Sequence, residues 1–188
     1  MTKVFLNLTM SLDGYAAGPN VTEATPMGEG GEQLHDWLFK QKTDQDVEVM
    51  NQTSGTAGAV IVGGHTYAVG IKDAWGGETP FEVPAFVLVE EAPEVAVEGF
   101  TYVTDGIESA LRQARDVAGD RNVWVMGGPN VAQQYIKAGL LDELQITIAP
   151  LLLGDGLRLF EHTGQMKLKH AGVTQTPAAT HIVYEVVK

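Results

Sequence analysis

The sequence predicts an α/β protein of three layers, α/β/α, built on a central mixed and mostly parallel sheet that ends in an antiparallel β-hairpin. Short and almost wholly apolar runs at 59–62, 84–89 and 123–126 are typical of strands buried on both faces. Amphipathic helical segments alternate with these runs, as they do in parallel sheets. No linker or low-complexity tract interrupts the 188 residues, so we expect one domain over 1–188.

The strands are predicted from their hydrophobic pattern. Continuous apolar runs indicate strands inside the sheet, whereas alternating segments near both ends indicate strands with one buried face. The last two segments are joined by a short turn at Pro177, so they should pair antiparallel. In chain order, the predicted strands are 4–10, 59–62, 84–89, 100–103, 123–126, 144–148, 166–175 and 181–187.

Helices are predicted where apolar residues recur every three or four positions. The segment 32–42 has this spacing, and its Trp37 is expected to pack in the core rather than against a ligand. Residues 44–58 are polar, and part of them can extend the same helical layer. A short helical turn is expected to follow the strand at 59–62 and to end at Val69.

Two further helices carry recognisable end signals. Asp105 and Glu108 have the spacing of a capping box, which predicts a helix that continues to Ala118 and ends at Gly119. Pro129 suits the first turn of a helix, because its fixed φ fits there and its missing N–H would have no partner anyway. The helix that begins at Pro129 follows the apolar run at 123–126.

Composition excludes several classes of function. The 24 acidic and 12 basic side chains give a formal charge of −12, which disfavours nucleic acid and anionic membrane surfaces. The absence of cysteine excludes disulfides, thiolate nucleophiles and cysteine-based metal sites. No apolar run approaches the roughly 20 residues of a membrane helix, and the start of the chain lacks a signal-peptide pattern. We therefore expect a soluble, cytoplasmic protein.

The most informative feature is a strand that runs into two glycines and then a helix, and it occurs twice. The glycine pairs are 63–64, followed by His65 and Thr66, and 127–128, followed by the helix at Pro129. One such corner is explained equally well by an ordinary turn in which glycine permits the bend. Two of them would place two helix N-termini at the carboxyl edge of one sheet, where open α/β sheets bind ligands. The pair therefore favours a phosphate-binding site.

Motifs for other chemistries are absent from the sequence. There is no GxGxxG, no Gly-Lys-Ser/Thr and no GxSxG, and the five histidines show no i, i+4 pair. Asp142 and Glu143 are adjacent on a predicted strand and so point to opposite faces. With neither a metal site nor a nucleophile, the protein can still catalyse a reaction whose chemistry a cofactor supplies, and hydride transfer is one.

Three segments carry a family resemblance: 4–18 (VFLNLTMSLDGYAAG), 59–67 (AVIVGGHTY) and 123–160, which contains VMGGPN, LLDELQITIAP and LLGDGLRLF. From residue 3 to its end the chain resembles the family that holds dihydrofolate reductase and the C-terminal reductase domain of bacterial riboflavin-biosynthesis deaminase-reductases. It is particularly similar to the stand-alone riboflavin-reductase-like proteins of bacteria. The resemblance implies a mixed sheet of about eight strands with an NADPH cleft.

The resemblance also implies roles for individual residues. The diphosphate would lie against one glycine corner and the adenosine half against the other, with the nicotinamide beside the first strand and loop. The implied cofactor-binding residues are Gly127, Gly128, Asn130 and Val131 for the diphosphate, Gly63, Gly64, His65 and Thr66 for the adenosine half, Thr9, Ala17 and Gly18 for the nicotinamide, and Val89 for the adenosine ribose.

Two departures from the family pattern affect the expected function. Dihydrofolate reductase carries a substrate-binding carboxylate on its first helix, and here that place falls near Gln33 or Leu34. Glu32 is a substitute, although the helix dipole explains a first-turn glutamate equally well. Glu90 and Glu91 would repel the 2′-phosphate of NADPH, whereas a carboxylate can accept a hydrogen bond from the free ribose hydroxyl of NADH.

We therefore expect an NAD(P)H-dependent reductase that transfers a hydride to a C=N or C=O group of a small, pteridine- or pyrimidine-like substrate. By resemblance it would act like 5-amino-6-(5-phosphoribosylamino)uracil reductase or dihydrofolate reductase. The proton would come from water, Asp13 or Glu32, and a turn role explains Asp13 as well. The alternatives are a degenerate ligand-binding or interaction protein and a flavin-binding protein. The family and the run Leu151-Leu152-Leu153 suggest a homodimer, although a buried core strand would explain that run equally well.

Overall fold

The computed structural model describes residues 2–22, 24–72 and 74–188 and confirms the predicted α/β fold. In the described ranges the strands are β1 (Val4–Ser11), β2 (Tyr15–Ala17), β3 (Ala57–Gly63), β4 (Ala85–Leu88), β5 (Phe100–Val103), β6 (Asn122–Gly127), β7 (Glu143–Ala149), β8 (Leu157–Arg158), β9 (Leu168–Gln175) and β10 (Thr180–Val186). The helices are a 3-10 helix (Gly31–His35), α1 (Asp36–Phe39), α2 (Asp44–Thr56), α3 (Gly64–Lys72), α4 (Ile107–Ala118) and α5 (Pro129–Lys137).

The main sheet has eight strands in the order β5-β4-β3-β6-β1-β7-β10-β9. Neighbours from β5 to β7 are parallel, whereas β10 is antiparallel to both β7 and β9. The mixed sheet and the terminal antiparallel hairpin are therefore confirmed. The pattern did not reveal β2 and β8, which are very short and form a separate antiparallel pair.

Alternate residues of the central strands enter different hydrophobic clusters, because successive side chains of a strand point to opposite faces. On β3, Ala59 and Ile61 belong to the cluster that includes buried residues of α4 and α5. Val60 and Val62 belong to a second cluster, with Tyr67 of α3 packed against it. Helices therefore cover both faces of the sheet, as the three-layer prediction requires.

The predicted helix at 32–42 is the largest error in the secondary structure. The segment instead forms the 3-10 helix and the four-residue α1, which follow Gly30 in a left-handed conformation with φ 73°. Neither helix has a side-chain cap at its N-terminus, where the N-cap is Gly30 for the 3-10 helix and His35 for α1. The first turn is therefore tightened rather than α-helical. Trp37 is nevertheless buried, as expected.

The predicted capping box at Asp105 is also wrong. Gly106, with φ 94°, occupies the N-cap of α4 and leaves Asp105 one residue too far from the helix. The capping box is found instead at α2, where the Thr43 side chain accepts from the Asp46 N–H and the Asp46 carboxylate accepts from the Thr43 N–H. The polar segment 44–58 thus holds a well-defined helix, α2.

Residues 151–153 are not a strand. They follow β7 as irregular chain, and the side chain of Leu152 is 69% exposed. Leu12, which lies opposite because its N–H donates to the Leu151 carbonyl, is 66% exposed. The explanation of this apolar run as a buried core strand is therefore wrong.

Candidate functional site

The two glycine corners lie side by side. β3 and β6 are parallel neighbours, with Ile61 opposite Val125 and Val62 opposite Gly127. The helices α3 and α5 begin directly after these strands, at Gly64 and Pro129. Both helix N-termini are therefore at the carboxyl edge of one sheet, as the repeated pattern predicted.

A cavity of about 950 Å³ opens between the two corners, and we call it the cleft. It extends from the carboxyl ends of β3 and β4 to the start of α5 and to β8. Its lining includes most of the residues that the sequence analysis assigned to a cofactor: Gly63, Gly64, His65, Thr66, Val89, Gly128, Asn130 and Val131.

Close packing explains two of the four corner glycines, and backbone conformation explains a third. A Cβ on Gly63 would lie 3.0 Å from Val131 Cγ2, and one on Gly64 would lie 2.9 Å from the Leu88 carbonyl oxygen. Gly127 has φ 108°, a conformation that disfavours any other residue. The bottom of the cleft is therefore built from backbone, which lets a ligand approach the peptide groups closely.

Gly128 is different, because packing does not require it to be glycine. Its φ is −77°, which any residue adopts, and a Cβ there would have one neighbour within 4 Å, Thr66 Oγ1 at 3.2 Å. Gly128 is the N-cap of α5, and no side chain caps that helix. Pro129 has no N–H, so the donors that remain available in the first turn of α5 are those of Asn130 and Val131, and they give this end of the cleft the charge and space for a diphosphate.

Charged side chains in the cleft are mostly acidic. Glu90, Glu91 and Glu161 line it, and Arg158 is the one lysine or arginine among its described lining residues. The Arg158 guanidinium lies over the Tyr15 ring, with Cζ 4.6 Å from the ring centroid, and Nη2 donates to Tyr15 Oη at 3.0 Å. The sequence analysis did not single out Arg158, because a single arginine on a two-residue strand has no local signal.

His65 is held against the loop that precedes the 3-10 helix. Its Nε2 donates to the Pro26 carbonyl at 3.0 Å, and Val21 of the same loop lines the cleft. The two ends of this loop lie close together just after β2, since a Cβ on Gly18 would lie 2.1 Å from the Glu29 carbonyl oxygen. Val21 and the Pro26 carbonyl therefore bring parts of this loop to the side of the cleft.

The remaining assigned residues do not line the cleft, and these are Gly127, assigned to the diphosphate, and all three residues assigned to the nicotinamide. Ala17 and Gly18 are buried at the base of the loop, and Thr9 is buried on β1. The Trp37 indole covers Thr9 and donates from Nε1 to Thr9 Oγ1 at 3.3 Å. Their assignment to a nicotinamide stays a prediction.

Asp13 has the contacts of a structural turn residue. Its carboxylate accepts from the Ser11 hydroxyl and from the N–H groups of Leu153, at 3.1 Å, and Gly154, at 2.8 Å. The hydrogen bond from Ser11, with help from Gly154 and Leu153, lowers the pKa of Asp13 below its ordinary value. Asp13 is therefore an anion at neutral pH that fixes the loop after β7.

Glu32 lies on the 3-10 helix with its side chain exposed, and it does not line the cleft.

In the described part of the chain, no group of three or more histidine, aspartate or glutamate side chains is arranged to hold a metal ion. Across residues 2–22, 24–72 and 74–188, every helix is too short or too polar to span a bilayer.

A buried polar network occupies the neighbouring part of the sheet edge. His181 Nε2 lies 2.8 Å from Asp46 Oδ1, and His181 Nδ1 lies 2.9 Å from Thr147 Oγ1. An ionised carboxylate only accepts, so Nε2 donates to Asp46, and Nδ1 of a neutral ring accepts from Thr147. The ring of Trp37 packs edge-on against His181 at 4.9 Å.

The Asp46 carboxylate is the charged end of this network. Burial raises its pKa, but hydrogen bonds from Thr43 and His181 outweigh burial and lower the pKa to about 2. Sequence reasoning missed the network, because Asp46 and His181 are 135 positions apart and each is unremarkable in its own segment. Only the folded sheet brings them together.

Comparisons with known proteins agree with this fold. The family model described as the RibD C-terminal domain matches residues 2–182. The uncharacterized protein YwjB of Bacillus subtilis is 28% identical over 185 residues, which are 97% of each chain. A putative riboflavin biosynthesis protein of Shewanella sp. PV-4 shares the fold with a TM-score of 0.73 at 20% identity, over 100% of both chains. The riboflavin biosynthesis reductase Rib7 of Saccharomyces cerevisiae aligns with a TM-score of 0.60 at 15% identity, over 100% of this chain and 89% of its own.

Proposed function

We propose, from the premise that the chain belongs to the RibD C-terminal domain family, that it is an NAD(P)H-dependent reductase. Its substrate would be a small pteridine- or pyrimidine-like compound that receives a hydride at a C=N or C=O group. The observation that carries this proposal is the cleft of about 950 Å³, in which two backbone-lined corners meet the uncapped N-terminus of α5. A binding module without a dinucleotide would have no need for this arrangement.

The residues of the cleft can divide a dinucleotide between them. Gly128, Asn130 and Val131 would receive the diphosphate, because the N–H groups and the dipole of α5 attract anions. His65 and Thr66 would bind the adenosine half at the start of α3. A reduced nicotinamide supplies the hydride when it is bound, and the protein's part is to orient it and to exclude water.

The choice between NADPH and NADH depends on the carboxyl end of β4. The family resemblance favours NADPH, whereas Glu90 and Glu91 line the cleft just beyond Val89. Two carboxylates repel a dianionic 2′-phosphate and can accept from a free 2′-hydroxyl. The charge at this position therefore supports NADH as a cofactor alongside NADPH.

Water is the proton source that the contacts favour. Asp13 is anionic and engaged by two backbone N–H groups, and Glu32 is exposed away from the cleft. A proton donor must lie within hydrogen-bond reach of the reacting atom or be connected to it by one water. Neither carboxylate has this position in the described structure.

A second candidate function is ligand binding without turnover. Thr9, Thr147 and His181 do not line the cleft, and they are buried and hydrogen-bonded to protein groups. A ligand that bound Thr9 would have to displace the Trp37 N–H from it. These satisfied groups favour a protein that has kept the cofactor cleft and lost the reaction.

Parallel calorimetric titrations with NADPH and NADH at moderate salt test the proposal. We expect a micromolar dissociation constant for at least one of them. Loss of the reduced-nicotinamide absorbance with a panel of pteridines and pyrimidines would then identify a reductase, and binding without turnover would support the second candidate. Binding of neither dinucleotide at millimolar concentration would overturn both.

We also propose a homodimer. The support is the exposed apolar surface formed by Leu12 and Leu152, since large exposed apolar side chains that lie together often mark interfaces. Sedimentation of the protein and of Leu152→Ser at the same concentration tests this, and a monomeric native protein would contradict it.

A further inference from the structure

We propose that Arg158 is a cofactor-binding residue, and that it binds the diphosphate of the dinucleotide together with the N-terminus of α5. The inference rests on the proposed function, and it deepens that function by naming the side chain that neutralises the anion. Neither the glycine motifs nor the family resemblance pointed to this arginine. Four observations from the described residues support it.

The first observation is the charge of the cleft. Its described lining carries three glutamates, Glu90, Glu91 and Glu161, against one permanently cationic side chain, Arg158. A diphosphate adds two further negative charges. Unit charges a few ångströms apart interact by several kcal/mol at intermediate dielectric, so an anion in this cleft needs a nearby cation. Arg158 is the side chain that can provide it.

The second observation is that Arg158 has no acidic partner. Within the described chain, no carboxylate oxygen lies within the 4.0 Å of an ion pair with its guanidinium. Nη2 donates to Tyr15 Oη at 3.0 Å and Nη1 to the Asp13 carbonyl at 3.5 Å. A guanidinium has five N–H donors, so donors remain for a ligand.

The third observation is that the guanidinium is already positioned. It stacks over the Tyr15 ring at 4.6 Å, and the Tyr15 hydroxyl in turn lies 3.4 Å from the Gly154 carbonyl oxygen, to which it donates. This cation–π contact and the hydrogen bond to Tyr15 Oη restrict the guanidinium and lower the entropy that binding would cost. A planar fork of this kind matches the oxygen pairs of a phosphate group.

The fourth observation links Arg158 to α5. Gln133 Nε2 donates to the Arg158 carbonyl oxygen at 2.8 Å, which ties β8 to the second turn of the helix. Gly128, Asn130 and Gln133 line the cleft together with Arg158. The N-terminus of α5 and Arg158 therefore line one cavity, and a hydrogen bond from Gln133 to the Arg158 backbone connects their elements.

Calorimetric titration of Arg158→Gln tests the assignment by binding alone. We expect dissociation constants for NADH and NADPH to rise equally, by roughly tenfold to a hundredfold, because a charge-assisted hydrogen bond to a group common to both is lost. Arg158→Lys, which keeps the charge without the fork, should lose less. Arg115→Gln makes the same change at an exposed site on α4 and should leave both constants unchanged.

Unchanged dinucleotide affinity in a folded Arg158→Gln protein would overturn the inference and leave the proposed function intact. If the native protein binds neither dinucleotide, the proposed function fails, and titration with inorganic pyrophosphate then tests the anion site at Arg158 separately. Pyrophosphate binding that Arg158→Gln abolishes would support the anion site, and its absence from the native protein would overturn it. If Arg158→Gln does not fold, the salt dependence of the native protein decides, because an affinity independent of salt would contradict a charge contact.

Discussion

Two neighbouring parts of one sheet edge differ in how their polar groups are used. At the ends of β3 and β6, glycines leave backbone groups bare, and a cavity of about 950 Å³ remains open. At the ends of β1 and β7, the side chains of Thr9 and Thr147 are buried and hydrogen-bonded to Trp37 and His181. Backbone groups of the first part remain open to a ligand, whereas the polar side chains of the second part are already paired with protein groups.

Under the proposed function, the open part would bind the cofactor and the closed part would contribute to folding stability. An N–H group without a protein partner gains a hydrogen bond when an anion arrives, so binding there is favourable. A buried group that is already paired must lose a bond before it can bind a ligand, which costs about 1–3 kcal/mol for each group left unsatisfied. Substitutions in the second part should therefore reduce folding stability, and those in the first part should reduce affinity.

Asp46→Asn should give the largest effect. The change removes the charge that accepts from His181 and from Thr43 at the start of α2. Hydrogen bonds to a charged group contribute about 1.5–3 kcal/mol each, and because asparagine weakens several of them at once we expect the free energy of unfolding to fall by about 2–4 kcal/mol. Urea denaturation measures it, with Asp44→Asn, an exposed first-turn residue of the same helix, as the control.

The same substitution should change the response to acid. The pKa of Asp46 is about 2 in the folded protein against an ordinary value of 3.8, so its contribution is present above pH 3.8 and is lost as pH falls towards 2. The native protein should lose about 1–2 kcal/mol of stability over this range from Asp46. An Asp46→Asn protein with the same acid dependence would show that this carboxylate does not carry the network.

Gly128→Ala should give the opposite result, with affinity lost and stability kept. The new methyl group would lie 3.2 Å from Thr66 Oγ1, and both residues line the cleft. Because φ is −77°, alanine adopts the backbone conformation without strain. We expect dinucleotide binding to weaken by roughly tenfold, since the methyl group hinders a phosphate at the N–H groups of α5.

Gly55→Ala is the matched control for this change. Gly55 is an exposed residue of α2 with no atom within 4 Å of an added Cβ. The free energy of unfolding should rise by up to about 1 kcal/mol, as alanine is the better helix former, and dinucleotide affinity should be unchanged. Equal affinities for the Gly128→Ala and Gly55→Ala proteins would mean that no phosphate approaches the start of α5.

The sequence predicted the open part far better than the closed part, for a physical reason. Glycine pairs after apolar runs are local signals, and the common direction of the strands that place both pairs at one sheet edge follows from β–α alternation. The network of Thr147, His181 and Asp46 depends on strand order and on where α2 packs. Neither is encoded in the pattern of a single segment.

Local signals also failed where glycine changed the backbone. Gly106 displaced the helix start from Asp105, and Gly30 led into a 3-10 helix where the apolar spacing predicted a longer α-helix. Apolar spacing correctly predicted which side chains are buried, including Trp37 and Leu34. It contains no information on how tightly the first turn is wound, because 3-10 and α-helices bury similar positions over one turn.

Removing the acidic pair after β4 tests whether its charge sets the preference of the cleft between NADPH and NADH. In Glu90→Gln/Glu91→Gln, two carboxylates that line the cleft become neutral. We expect the ratio of NADPH to NADH affinity to rise severalfold to about tenfold, because repulsion of the 2′-phosphate is relieved while the diphosphate contacts are shared. Competition titrations measure the ratio, and a ratio equal to that of the native protein would place the adenosine ribose elsewhere.

The smallest effect on turnover is expected at the two carboxylates first considered as acids. Asp13 accepts from the N–H groups of Leu153 and Gly154 in the loop after β7, and its lowered pKa keeps it ionised at neutral pH. Asp13→Asn should therefore lower the melting temperature and leave turnover per folded molecule unchanged. Glu32→Gln, at an exposed side chain, should change neither quantity. Turnover lost in either variant at undiminished melting temperature would make that carboxylate the proton source, and it would show that the catalytic region extends beyond the open cleft.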